Sequence, residues 1–214
     1  MTKSGRWTLL VVAAVAVLVA AFVVEIGDDT DGGRATPSAQ VARAHRDADT
    51  PEALAGPRQR AGLPPCPPAG GQSPGPAELR GVVVECAADG APVNLAPALA
   101  GRPAVLNLWA YWCAPCAEEL PAMAEYRRRV GDSIEVVTVH QDENETAALL
   151  RLAELGVRLP TLQDGQRRIA AALDVPNVMP ATVVVRADGS VATVLPQAFT
   201  TADEITSAVD SALR

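Results

Sequence analysis

The sequence predicts an α/β sandwich on a mixed sheet, and three observations predict it. Two short apolar runs rich in branched residues, Ala104–Trp109 and residues 134–139, are each followed by apolar residues at helical spacing. Two Asp-Gly pairs, Asp89-Gly90 and Asp188-Gly189, each sit between strand-like runs and mark hairpins. The element order that results, with strands and helices alternating before a closing hairpin and helix, lays helices against one mixed sheet.

In chain order, residues 7–24 are apolar without interruption, behind Lys3 and Arg6 and ahead of Glu25, Asp28, Asp29 and Asp31. About 20 apolar residues cross the hydrocarbon layer of a bilayer, and positive charge ahead of such a run keeps the N-terminus inside. Residues 1–26 therefore read as a membrane anchor, a single transmembrane helix with the rest of the chain outside the cytoplasm. The competing reading is a signal peptide cleaved after Val19-Ala20-Ala21; the anchor is preferred because the run continues through Phe22, Val23 and Val24. Residues 27–63 carry Gly, Ala, Pro and charge, with Pro51 and Pro57 among the interruptions, and read as a disordered tether. Residues 64–214 read as the folded domain.

The domain opens with a hairpin of Val82-Val83-Val84 and Val93-Asn94-Leu95 around Asp89-Gly90. Ala104–Trp109 is a buried strand, short and apolar, set off by Gly101-Arg102-Pro103. A helix starts between Cys113 and Cys116, with Leu120, Met123 and Val130 at helical spacing and a kink at Pro121, which lacks the donor. Residues 134–139 form the second central strand. Asp142 and Glu145 resemble a capping box that opens a helix with the stripe Leu149, Leu152 and Leu155, closed by Gly156. Residues 166–173 make a shorter helix, and residues 182–185 pair with Val191–Leu195 around Asp188-Gly189. Thr201 and Glu204 form a second capping box, ahead of a helix bearing Ile205, Ala208, Val209, Ala212 and Leu213 on one face.

Net charge is −7, and Lys3 is the only lysine. An acidic chain without a basic patch gives no reason to expect nucleic acid. Aromatics are scarce, with 3 Trp, 2 Tyr and 2 Phe, yet Trp109, Tyr111 and Trp112 fall within the four positions before Cys113. A strand ending at Trp109 and a helix beginning near Ala114 put Cys113 at a helix N-terminus, where unpaired amides and the dipole favour a thiolate. Cys116 lies one turn further on the same side, and Pro115 is tolerated where N–H groups lack helical partners. The pair reads as a redox centre rather than an inert staple. A zinc site needs two compact cysteine pairs, and only this one is compact, so no metal is assigned. In an oxidising compartment the two remaining cysteines, Cys66 and Cys86, are expected to form a structural disulfide, the alternative being a second redox pair. His140, at the end of the second central strand, reads as a solvated loop histidine; Glu118 reads as a solvated helix charge and His45 as part of the tether.

The string LNLWAYWCAPCAEELP, residues 106–121, resembles the active-site segment of the thioredoxin superfamily, most of all its membrane-tethered TlpA and ResA type. The likeness extends over residues 82–214 and implies a thioredoxin-like fold. By the same resemblance Cys113 is the nucleophile, Cys116 the resolving thiol, Glu119 an acid that tunes the thiols or relays a proton, and Pro121 the helix kink. Trp112 shields the disulfide at the substrate side. A cis-proline facing the disulfide is implied at Pro180 in NVMPATVVV, leaving the backbone of Met179 free to pair with a bound peptide. There are two departures. The family more often reads Pro-Thr-Thr after a glycine two residues back, where this chain has Val178-Met179-Pro180-Ala181-Thr182; and Asn107 stands where cytoplasmic thioredoxins carry a buried Asp, which passes the proton role to Glu119 or to water.

The function this implies is a membrane-anchored, extracytoplasmic thiol-disulfide oxidoreductase that acts on protein thiols and disulfides without a cofactor. The resemblance points to apocytochrome c as substrate, its haem-binding cysteines being kept reduced during cytochrome c maturation, with a membrane partner supplying electrons. Run in reverse, the same chemistry gives an oxidase that forms disulfides in secreted proteins. The non-enzymatic alternative, a thioredoxin-like chaperone or binding module, is disfavoured because both cysteines are present.

Overall fold

A computed structural model describes residues 49–70 and 75–214. The apolar run and most of the expected tether lie outside the described residues. Among the described residues, no helix is long and apolar enough to cross a membrane.

Seven strands form one sheet: β1 Val83–Cys86, β2 Pro92–Asn94, β3 Ala104–Trp109, β4 Glu135–His140, β5 Thr161–Gln163, β6 Ala181–Val185 and β7 Val191–Leu195, in the order β2-β1-β5-β4-β3-β6-β7. β3 and β4, and β4 and β5, run parallel; the other neighbours are antiparallel. This is a thioredoxin-like α/β fold with a mixed sheet. β3, β4 and β6 are buried along their whole length, which is why they read as continuous apolar runs rather than alternating ones.

The helices are α1 Pro51–Ala61, α2 Leu95–Ala98, α3 Ala114–Val130, α4 Glu145–Leu155, α5 Arg168–Ala172 and α6 Ala202–Leu213. Strand alternation sorts the core. Val105, Trp109, Val136 and Val184 face α3, α4 and α6, which contribute Leu120, Met123, Leu152, Ile205 and Val209. Leu106, Leu108, Val137, Val139 and Val183 face the opposite layer, where Leu95, Leu99, Ile169 and Leu173 pack.

The expected tether is corrected at its C-terminal end: residues 51–61 are helical and packed on the domain. Thr50 caps α1 by accepting from the Ala53 amide at 3.3 Å, Pro51 occupies the first turn, and Gly62 closes the helix at φ 55°. Leu54 and Ala61 are buried with Leu149 of α4, and Arg58 pairs with Glu145 at 3.0 Å. Asp49 accepts from the Glu145 amide at 2.8 Å and from the Thr146 hydroxyl at 2.6 Å. This burial and pairing outweighs the lost donor at Pro57, and the partners lie some 90 residues away in sequence, beyond the reach of local pattern.

Three smaller corrections follow the same logic. Asn144, not Asp142, caps α4, its Oδ1 accepting from the Ala147 amide at 2.9 Å, while Asp142 accepts from Asn144. β5 is only 3 residues long, too short for periodicity to reveal, and it joins β1 to β4 in the sheet. Leu95 leaves the hairpin to start α2. The capping pair at α6 holds: Thr201 Oγ1 accepts from Glu204 N at 3.2 Å, and Glu204 reaches back to the Thr200 amide at 2.8 Å.

The topology converges on one edge of the sheet. Trp109 pairs with His140 at the C-terminal ends of β3 and β4, and antiparallel β6 begins at Ala181 opposite Leu108. The loop carrying Cys113, the loop after His140 and the loop ending in Pro180 therefore leave the sheet at the same end.

Candidate active site

Cys113 is the N-cap of α3, and its Sγ accepts from the Cys116 amide at 3.2 Å. The two cysteines are joined by a disulfide with Cα atoms 5.2 Å apart. Exposure separates them: Cys113 is 6% exposed and Cys116 is fully enclosed among Leu120, Met123 and Phe199. Trp112 beside them is 57% exposed. An incoming sulfur therefore meets Cys113 first, at a helix terminus that stabilises its thiolate once the bond opens.

One turn below Cys116, Glu119 is fully buried. Its Oε2 accepts from Asn107 Nδ2 at 2.7 Å and its Oε1 from the Phe199 amide at 3.0 Å. Desolvation outweighs both hydrogen bonds and pushes its pKa up to about 7, so near neutrality this carboxyl can either give or take a proton. Asn107 supplies a donor where a second carboxylate would repel, leaving a single ionisable group in the pair. It sits in a buried polar row across the sheet, between Thr182 of β6 and Thr138 of β4. Glu118, by contrast, is exposed.

Pro180 follows a cis bond from Met179 and immediately precedes β6. Met179 packs against the cluster that holds Cys113 and Cys116, and Val178 next to it is 46% exposed. Cys66 and Cys86 form a disulfide that ties the chain after α1 to β1.

His140 corrects the sequence reading. It is not a solvated loop residue but fully buried, with the Trp109 ring 5.0 Å away and the Tyr111 ring 6.0 Å away. Burial is the main cause that lowers its pKa to about 4, so the imidazole is neutral at ordinary pH. Sequence reasoning also missed the link from Glu119 to the Phe199 amide, 80 residues away, for which no local signal exists. The Asn107–Glu119 pair was within reach of it, because both residues lie in the quoted active-site string.

The profile of the Redoxin family matches residues 70–211 of the chain. The thiol-disulfide oxidoreductase ResA of Bacillus subtilis is 32% identical over 103 residues, spanning 48% of this chain and 57% of that protein. Thioredoxin 1 of Synechococcus elongatus is 38% identical over 69 residues, 30% of this chain and 61% of that protein. The chain thus spans little more than half the length of these curated relatives. Among solved structures, a secreted Mycobacterium tuberculosis disulfide oxidoreductase homologous to Escherichia coli DsbE superposes with a TM-score of 0.54 at 26% identity, over 63% of this chain and 97% of that one.

Proposed function

Because this chain belongs to the Redoxin family, we propose that it is a thiol-disulfide oxidoreductase acting on protein substrates outside the cytoplasm through Cys113 and Cys116. The observation that carries the reading is the asymmetry of the pair: a cysteine that keeps a little exposure at the N-cap of α3 and a fully enclosed one a turn inside, with a carboxyl beneath whose pKa lies near 7.

In the reducing direction the Cys113 thiolate attacks a substrate disulfide, one substrate sulfur leaves as thiolate, and a mixed disulfide forms. Cys116, deprotonated with Glu119 taking the proton, then attacks Cys113 and expels the second substrate sulfur. Two electrons pass from the enzyme dithiol to the substrate, and the enzyme is left with its own disulfide. The backbone at Met179 and the exposed Trp112 and Val178 flank the path by which a peptide reaches Cys113.

The substrate we propose is the haem-binding cysteine pair of apocytochrome c, a reading that rests on the resemblance of residues 106–121 to the TlpA and ResA type. A membrane protein that passes electrons outward would re-reduce the enzyme. Membrane anchoring with the domain outside is supported by the apolar run 7–24 and by a second disulfide at Cys66 and Cys86, a bond at home in an oxidising compartment.

The test is trapping. Cys116→Ser should accumulate mixed disulfides with its substrates, and Cys113→Ser should not. Trapped apocytochromes support the reductant; a broad set of secreted proteins would instead establish an oxidase. No trapped species, together with no disulfide reductase activity in the wild type, refutes the enzymatic reading.

A further inference from the structure

His140 lies within a chain of hydrogen bonds whose direction is fixed at every step. The Tyr111 amide can only donate, and it points at His140 Nε2 at 3.4 Å. Nε2 must then be the bare acceptor of the neutral ring, which leaves the proton on Nδ1. Nδ1 lies 2.9 Å from Gln163 Oε1 and donates to it. Gln163 in turn has its Nε2 at 2.7 Å from the Asp142 carbonyl, which can only accept, so its amide cannot be flipped. Asp142 closes the circuit: its Oδ2 accepts from Trp112 Nε1 at 3.0 Å.

The circuit begins at Tyr111 and ends at Trp112, the two residues before the nucleophile. It fastens them to the ends of β4 and β5, where His140 and Gln163 are register partners, and to the loop that opens α4. At its far end the circuit gives the exposed indole of Trp112 a hydrogen-bonded anchor at Asp142. The rings of Trp109 and Tyr111 both pack against the imidazole, each tilted to it. The charged groups acting on it, Asp142 and Asp49, do not overcome its burial.

We infer that His140 is a positioning residue: as the neutral Nδ1–H tautomer it holds Tyr111 and Trp112 so that the Trp112 indole forms a fixed wall beside Cys113 against which a protein substrate docks. The inference rests on the thiol-disulfide exchange proposed above. It assigns His140 to the engagement of protein substrates and not to the chemistry at sulfur, and it separates two rates. A small disulfide, which needs no wall, should react as in the wild type, whereas a protein disulfide should engage less well.

His140→Phe keeps a ring beside Trp109 and Tyr111 and removes both polar links. It should raise KM for insulin disulfides roughly tenfold, the equivalent of one lost hydrogen-bonded anchor, while reaction with oxidised glutathione stays within about twofold and kcat changes little. Asp142→Ala breaks the far end of the same circuit at a half-buried loop position. It should raise the insulin KM in the same direction, and the double variant should add little further, as expected for members of one network. Independently of turnover, nitrogen-15 spectra of the wild-type chain should show Nδ1 protonated and Nε2 bare at about pH 7.

An Nε2–H tautomer or an imidazolium at that pH overturns the inference even if exchange activity is normal. So does an unchanged insulin KM in Asp142→Ala, or an equal loss toward insulin and glutathione. A wild-type chain inactive toward both disulfides would instead refute the functional reading, leaving the tautomer measurement to decide the geometry.

Discussion

Replacing Glu119 with Gln tests the claim that burial sets the acidity of this carboxyl. The group is enclosed and accepts from Asn107 and the Phe199 amide, yet desolvation raises its pKa from 4.5 to about 7. Below the unfolded value both states are protonated and the group adds nothing to the pH dependence of folding. Between 4.5 and about 7 the unfolded chain releases its proton while the folded chain keeps it, so folded stability declines with rising pH through that window. At about 1.36 kcal/mol per unit the whole decline comes to roughly 3 kcal/mol, complete by about pH 8. Gln does not titrate. Its amide has one acceptor oxygen for two facing donors, which costs about 1 kcal/mol at every pH. Urea denaturation of the oxidised protein should therefore find Glu119→Gln slightly less stable than wild type near pH 4 and more stable by about 2 kcal/mol near pH 8. A constant difference across that range would mean that the carboxyl ionises as it does in water, and would refute the desolvation argument together with the proton-transfer role built on it.

Other perturbations probe the scaffold. Replacing Cys66 and Cys86 together with Ala releases a loop closed over a separation of 20 residues, and should lower stability by about 3 kcal/mol in the chain-entropy model, read as a fall in Tm of roughly 6–12 °C; unchanged Tm, or lost exchange activity at full stability, would contradict a structural role. Arg58→Ala leaves the buried Glu145 carboxylate without its 3.0 Å partner and should cost about 2 kcal/mol and make α1 susceptible to limited proteolysis; resistance equal to wild type would show that the pair does not hold the helix. Asp164→Ala strips the acceptor from the Arg168 and Ile169 amides at 2.9 and 2.8 Å and should cost about 2 kcal/mol in denaturant titration, because two amides in the opening turn of α5 lose their side-chain acceptor; a change below about 0.5 kcal/mol would mean that water replaces it.

What the sequence determined by itself follows from local causes. Short apolar runs of branched residues, Asp-Gly turns and Gly156 after a leucine stripe act within a few residues, so β3, β4, both hairpins and the helices α3, α4 and α6 were legible to within a residue or two. The cysteine pair at a strand-to-helix junction was legible for the same reason, since the strand end and the first helical turn place Cys113 without reference to the rest of the chain. Tertiary structure alone decided the remainder. Residues 51–61 fold because Leu54 and Arg58 find Leu149 and Glu145 about 90 positions away. β5 exists because β1 and β4 leave a gap with unpaired backbone groups for 3 residues to fill. His140 is neutral and Glu119 has a pKa near 7 because other segments close over them and remove water, and desolvation is a property of everything that surrounds a group and not of the residues beside it in the chain.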